Sequence, residues 1–372
     1  MPPIVTEPGP LVTAAAVEFR LRDPGGRYRG VRVLQELVRP RNRPQLVRAG
    51  GDWWSVGFPR PAVDRMEYQF EVLHADGRIE TICDPGNPRR APGAFGDKSV
   101  VEFPGYGPPA WLDGGQPAPR PANEPGGTMR FELASPRLRA DVATLLWSAP
   151  GTDPEEPLPL LIAHDGPEYA RYSGLVHFLE RMHAQGRVPP MRAALLAPVD
   201  RNESYSASAR YAQALWADVL PALGFLAPTP AGRRWRVGMG ASLGALAMLH
   251  LHRIYPGALG GLYLQSGSYF RQRYDKQESG FPRFRRIARF VGETLNASDW
   301  PDPVRVTLTC GTVEENLANN RAVRSALERQ GYDVELHTHR DAHNYTSWRD
   351  SFDPHLVELL GDVWGDGSPQ PR

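Results

Sequence analysis

The stretch WRVGMGASLGALAMLHL, residues 235–251, decides the fold. Trp235 to Met239 reads as a strand, and Leu243 to Leu251 is apolar all round, as a helix buried inside a domain is. Between them stand Gly240-Ala241-Ser242-Leu243-Gly244. The bare G-x-S-x-G pattern is a weak sign, but a strand before it and a helix after it make it a nucleophile elbow. There the serine sits on a sharp turn at the carboxyl edge of a sheet with its hydroxyl exposed. Side chains at the flanking positions collide with such a turn, which accounts for Gly240 and Gly244. The helix N-terminus adds a positive dipole end, and the Leu243 amide can point at an oxyanion forming beside Ser242.

Working outward, apolar runs alternate with longer helical stretches from residue 128 to 372, the pattern of a mostly parallel sheet covered by helices. Strands are expected at Leu158 to Ala163, Met191 to Ala197, Trp235 to Met239, Leu259 to Gln265, Val304 to Cys310 and Val334 to His339. Asn316 to Gln330 reads as a helix with Leu317, Val323 and Leu327 on one side, and Gly331 stands where a helix end takes positive φ. Fold class is therefore α/β, an α/β-hydrolase with a mostly parallel sheet flanked by helices.

A serine hydroxyl is a poor nucleophile at neutral pH and needs an imidazole to take its proton and a carboxylate to orient the imidazole. In this fold the chain order is serine, acid, histidine. His343 lies just past the last expected strand and is the expected base. The acid should end the preceding strand, where Glu314 is favoured, with Glu315 and Asp341 as alternatives. These residues point to a carboxylic ester hydrolase using no cofactor. A competing constellation is His337, His339, Asp341 and His343, an H-x-H-x-D-x-H string that could place two histidines on one strand face for zinc. Its spacing and its place near the chain end argue against it, and no metal is expected.

Residues 17–103 read as short strands broken by turns. In Met66 to Val72 the apolar residues Met66, Tyr68, Phe70 and Val72 alternate with Glu67, Gln69 and Glu71, and Asp76-Gly77 follows as a hairpin turn. Residues 1–105 are expected to form a β-sandwich and the Pro- and Gly-rich residues 106–127 a linker. The pair Trp53 and Trp54 is suited to stacking on an aromatic ring, one of the two being expected in the core.

At 372 residues the chain exceeds what one core usually serves. Lys plus Arg number 43 against 42 Asp plus Glu, for a net charge of +1, which lacks the basic excess of nucleic-acid binders. The start, MPPIVTEPGP, shows no basic n-region followed by an apolar h-region and no apolar run approaches a membrane span, so a cytoplasmic protein with a small-molecule ester substrate and no membrane partner is expected. Cys83 and Cys310 are expected as two buried thiols.

With these pieces placed, the chain resembles the enterochelin esterase family, enzymes that open catecholate siderophore trilactones. Asp84-Pro85-Gly86-Asn87-Pro88 and Ser99-Val100-Val101-Glu102-Phe103-Pro104 look like the close of that family's immunoglobulin-like N-terminal module. His164-Asp165-Gly166-Pro167-Glu168-Tyr169 looks like its D-G loop, Arg201 and Glu203 like its R-x-x-E segment one residue shorter, and Gln265-Ser266-Gly267-Ser268, Gly311-Thr312-Val313-Glu314 and His343 with Trp348-Arg349 complete the match. The resemblance implies a Ser242, Glu314, His343 triad and a second oxyanion donor near Gly166. Since Pro167 has no N–H, that donor is Gly166 or Glu168. It also implies a substrate-binding set of Asp165, Arg201 and Trp348, with loop fixing as the alternative for Asp165 and a salt bridge to Glu203 for Arg201. Feruloyl esterases and acyltransferases share the same catalytic design, so another acyl, feruloyl or glycan ester is the alternative substrate, and a catalytically silent carbohydrate-binding protein the alternative class.

Overall fold

The computed structural model describes residues 8–37, 44–112 and 127–365, so the expected linker at 106–127 falls mostly outside the described residues. The chain divides into two compact units. One is Met1–Pro108 together with two short returns of the chain, Gly311–Glu315 and Thr338–Ser347, and the other holds the rest.

The first unit contains β1 (Leu11–Val12), β2 (Ala16–Arg22), β3 (Tyr28–Gln35), β4 (Val47–Gly50), β5 (Trp53–Pro59), β6 (Arg65–His74), β7 (Ile79–Ile82), β8 (Arg90–Ala91) and β9 (Lys98–Glu102). They form two antiparallel sheets, β1-β2-β5-β4 and β3-β6-β9-β8 with β7 on β6. Val17, Phe19 and Leu21 of β2 share one core with Met66, Tyr68, Phe70 and Val72 of β6, so the period-two pattern of β6 is what buries it. Gly77 turns the β6–β7 hairpin at φ +90. Trp54 is in the core with its indole donating to Asp23 Oδ2 at 3.2 Å, while Trp53 is half-buried. One residue departs from the alternation: Glu67, polar and expected outward, is buried because Arg65 at 2.9 Å and Lys98 at 3.6 Å neutralise it.

An eight-stranded sheet runs β10 (Gly127–Ser135), β11 (Ala140–Ser148), β12 (Leu160–His164), β13 (Arg192–Leu196), β14 (Arg236–Ala241), β15 (Gly261–Gln265), β16 (Arg305–Gly311) and β17 (Asp333–His339) in the spatial order β10-β11-β13-β12-β14-β15-β16-β17. Pairing from β13 through β16 is parallel and the β10–β11 hairpin is antiparallel, an α/β-hydrolase-type sheet. The six strands read from sequence are all present. The β10–β11 hairpin adds to these; β10 is an edge strand with only Leu133 and Ser135 buried and carries no apolar run that would mark it in the sequence.

The α-helices among the described residues are α1 (Gly166–Tyr172), α2 (Leu175–Ala184), α3 (Arg201–Tyr205), α4 (Ala209–Ala214), α5 (Leu220–Leu226), α6 (Leu243–Ile254), α7 (Phe284–Asn296), α8 (Leu317–Arg329), α9 (Tyr345–Asp350) and α10 (His355–Trp364). The expected α8 face is buried, and Gly331 follows it at φ +86. Helix α6 packs ten of its twelve residues into the interior, His250 and His252 among them, as its apolar run from Leu243 to Leu249 leads one to expect. None of the described helices is long and apolar enough to cross a membrane. Cys310 is buried in β16, but Cys83 lies just past β7, half-buried, where its thiol reaches Asp97 O at 3.1 Å.

Candidate active site

The elbow is built from close approaches that exclude a side chain at Gly240 and leave little room for one at Gly244. A Cβ on Gly240 would sit 2.5 Å from the carbonyl carbon of Gly244, and one on Gly244 would sit 3.2 Å from His164 Cβ. Strand β14 and helix α6 can therefore meet at Ser242, which takes φ 57 and ψ −122 between them. The strain is shared by neighbouring strand ends: Asp165 after β12 and Ser266 after β15 are also left-handed, each at φ 49. Strained non-glycine residues gathered at strand ends mark places that the surrounding structure over-determines, commonly functional ones. Here the restraints are the Ser242 amide donating to Gln265 O at 2.9 Å and the Ser266 amide donating to Thr309 O at 2.7 Å.

Ser242 Oγ lies 2.9 Å from Ser268 Oγ, and the Ser268 amide donates to Ser242 O at 3.1 Å. No sequence motif marks Ser268 as a partner of the nucleophile. Nothing along the chain puts residue 268 beside residue 242; the pairing of β14 with β15 does.

Leu243 and Gly166 each open a helix, α6 and α1, so their amides belong to the first-turn N–H groups that find no partner inside the helix. Gly166 is also needed for packing, since a Cβ there would come within 2.4 Å of the Leu195 backbone. The Asp165 amide is already taken, donating to Tyr205 Oη at 3.1 Å.

Arg201 grips Asp165 side-on, Nε donating to Oδ1 at 2.8 Å and Nη2 to Oδ2 at 2.7 Å. The alternative salt bridge to Glu203 is not formed: Glu203 pairs with Arg283 and Arg286 instead. Asp165 is buried, so the pair fixes the D-G loop, while the Arg201 side chain keeps 39% of its surface exposed. Beneath the loop, His164 donates through Nδ1 to Gly244 O at 3.1 Å and accepts from Tyr211 Oη at Nε2, 3.1 Å away. Burial pushes its pKa down to about 4, so it stays neutral and pins the D-G loop to the elbow helix.

Trp348 is buried, its indole N–H on Ser266 Oγ at 3.1 Å and its ring tilted against Tyr169. Tyr169 Oη in turn donates to Gln265 Oε1 at 2.6 Å, and Gln265 Nε2 donates to Trp348 O at 3.0 Å. The loops after β12 and β15 are thus tied to α9 by one hydrogen-bond network.

Glu314 and His343 belong to the two short returns of the chain in the first unit, and they meet: Oε2 accepts from His343 Nδ1 at 2.8 Å. The other oxygen, Oε1, accepts the Gly311 amide at 2.7 Å, so the carboxylate is fixed on both sides with 1% of its side chain exposed. Of the three acids left open by the sequence, Glu315 is exposed and Asp341 is spent on the Ala342 amide and on Asn344. The alternative metal string is also dispersed. His337 pairs with Glu335 and stacks on His355, His339 meets Ser347 Oγ, and His343 meets Glu314. Among the described residues no three His, Cys, Asp or Glu converge on a point that could hold a metal.

No family model matches the chain, and no curated protein matches it in sequence. Solved structures match it in fold. The enterobactin esterase FES from Shigella flexneri, solved in the presence of enterobactin, superposes with a TM-score of 0.73 at 22% identity over 96% of this chain and 96% of that one. The ferric enterobactin esterase of Salmonella typhimurium gives 0.74 at 21% identity over 96% and 97%. A ferulic acid esterase gives 0.55 at 15% identity, covering 65% of this chain and 100% of its own.

Proposed function

We propose that this protein is a serine esterase that cleaves a carboxylic ester through an acyl-enzyme, with Ser242 as nucleophile, His343 as general base and Glu314 as the orienting acid. The observation that carries the reading is the buried Glu314 carboxylate held against His343 Nδ1 at 2.8 Å, in a chain whose Ser242 occupies a strained elbow. Strands β14, β16 and β17 belong to one sheet, and the three residues follow their carboxyl ends in the order serine, acid, histidine.

With Nδ1–H donated to Glu314, the Nε2 lone pair of His343 takes the hydroxyl proton as Ser242 Oγ attacks the ester carbonyl. Ser268 then donates to Ser242 Oγ and holds its rotamer. The Leu243 and Gly166 amides receive the negative oxygen of the tetrahedral intermediate. The imidazolium returns its proton to the departing alkoxide, and a water repeats the sequence to release the acid. Glu314 remains ionised throughout and stabilises the charged ring.

The substrate class we infer is a bulky ester of the catecholate trilactone kind, supported by the two enterobactin esterase folds that match 96% of the chain. A feruloyl ester is the second reading, supported by a match confined to 65% of it. We also read the amino-terminal sheets as an immunoglobulin-like module, the location as cytoplasmic, and the exposed flank of Arg201 as a contact for an anionic substrate group. The test is labelling with a fluorophosphonate followed by a panel of trilactone, feruloyl and nitrophenyl esters. Labelling confined to Ser242, and its loss with all turnover in Ser242→Ala, are expected; activity that survives Ser242→Ala overturns the mechanism.

A further inference from the structure

The two chain returns that carry Glu314 and His343 are built into the β-module rather than merely lying near it. Ala342 is part of the β-module core, 3% exposed, and Val313 packs against the same core. The Asp64 amide donates to Arg340 O at 2.8 Å and Arg340 Nε donates back to Asp64 Oδ1 at 3.0 Å. Thr312 Oγ1 donates to Ala62 O at 3.3 Å, and the Thr312 amide donates to His339 O at 2.8 Å. The returns also interlock: a Cβ on Gly311 would lie 2.2 Å from Asp341 O.

Arg65, at the start of β6, is the polar centre of this arrangement. It is 3% exposed, an arginine deep in a core with no solvent to compensate its charge. One arm donates to Glu67 Oε1 at 2.9 Å. The other donates to Asn344 Oδ1 at 3.3 Å and faces Asp341 Oδ2 at 3.9 Å. Asp341 and Asn344 bracket His343: Asp341 Oδ1 accepts from the Ala342 amide at 2.7 Å and from Asn344 Nδ2 at 3.1 Å, and Asn344 Oδ1 accepts the Ser347 amide at 2.8 Å, opening α9. The backbone that presents the imidazole is thus pinned on both sides by side chains that Arg65 holds.

We propose that Arg65 is a positioning residue for His343, so that the amino-terminal β-module acts as part of the acid–base machinery through the Asp341–Asn344 turn. This rests on the serine esterase reading above. It differs from a role in substrate contact, because the residues concerned are buried and act through the turn on the ring that moves the proton.

The test uses the full chain with Arg65→Met and Arg65→Lys. Turnover of a small nitrophenyl ester and phosphonylation of Ser242 are expected to fall about 100-fold in Arg65→Met, the effect of a displacement of roughly 1 Å at a reacting group, with KM within twofold of wild type. Arg65→Lys, which keeps the charge but not the fork, is expected to recover part of that loss. In proton NMR, the downfield Nδ1–H signal of His343, identified by its loss in Glu314→Gln, should broaden or vanish in Arg65→Met. If Arg65→Met does not fold, Asp341→Asn takes its place. It keeps the turn's shape but weakens the link to Arg65, and should lower phosphonylation about tenfold, the scale of one hydrogen bond. Wild-type phosphonylation together with an unchanged Nδ1–H signal, in either folded variant, overturns the proposal. A wild-type protein that no fluorophosphonate labels refutes the esterase reading instead, and the NMR signal still decides whether Arg65 positions the ring.

Discussion

Replacing Glu314 with glutamine changes one atom and should remove most of the activity. The carboxylate serves two donors, the Gly311 amide at 2.7 Å on Oε1 and His343 Nδ1 at 2.8 Å on Oε2. A glutamine has a single oxygen for them. If that oxygen stays on the Gly311 amide, the NH2 group faces His343 and forces Nδ1 to accept. The ring proton then moves to Nε2, and the nitrogen that must take the serine proton is blocked. If the amide flips, the ring keeps its tautomer but a buried N–H is set against NH2, at a cost of about 1–3 kcal/mol. The first arrangement therefore dominates, and the charge that stabilised the imidazolium is absent in both. A tautomer fault of this kind costs about 10,000-fold in turnover, which at 1.36 kcal/mol per decade is about 5 kcal/mol of transition-state stabilisation. The assay is steady-state hydrolysis of a nitrophenyl ester, with Glu315→Gln as control because Glu315 is exposed, and with thermal melting to confirm folding. Activity of Glu314→Gln within tenfold of wild type, or an equal loss in Glu315→Gln, refutes the assignment.

Two further outcomes are open to simple measurement. Ser268→Ala removes one neutral hydrogen bond from Ser242 Oγ, worth about 0.5–1.5 kcal/mol, so kcat should fall roughly 2- to 10-fold with KM unchanged, and a thousandfold fall would mean that Ser268 takes part in proton transfer. Burial raises the Asp341 pKa from 3.8 to about 7, with Arg65 opposing and Glu67 reinforcing the shift. Below the unfolded value the group is protonated in both states. As pH rises towards 7 the unfolded chain loses its proton first, so the stability Asp341 contributes is lost through that window. Calorimetry of Asp341→Asn should show a flatter decline of Tm across it, and an unchanged slope contradicts the shift.

What the sequence by itself determined was local and periodic. The strand, Gly240-Ala241-Ser242-Leu243-Gly244 and the apolar α6 were legible because close packing leaves the elbow few residue types, and the glycines meet backbone or His164 within 3.2 Å. The alternation of β6, the buried parallel strands and the end of α8 at Gly331 were legible for the same reason, since burial imposes a period and positive φ imposes glycine. Which acid meets His343 was decided only by the tertiary structure. Glu314 and Glu315 are adjacent in sequence and differ in burial, and the fold turns one towards the imidazole and the other to solvent. The same holds for Ser268 beside Ser242, for Arg201 choosing Asp165 over Glu203, and for Arg65 reaching Asn344 across 279 positions. Each is a hydrogen bond between residues far apart in the chain, and such partners are fixed by strand order and loop course, which leave no period in the sequence.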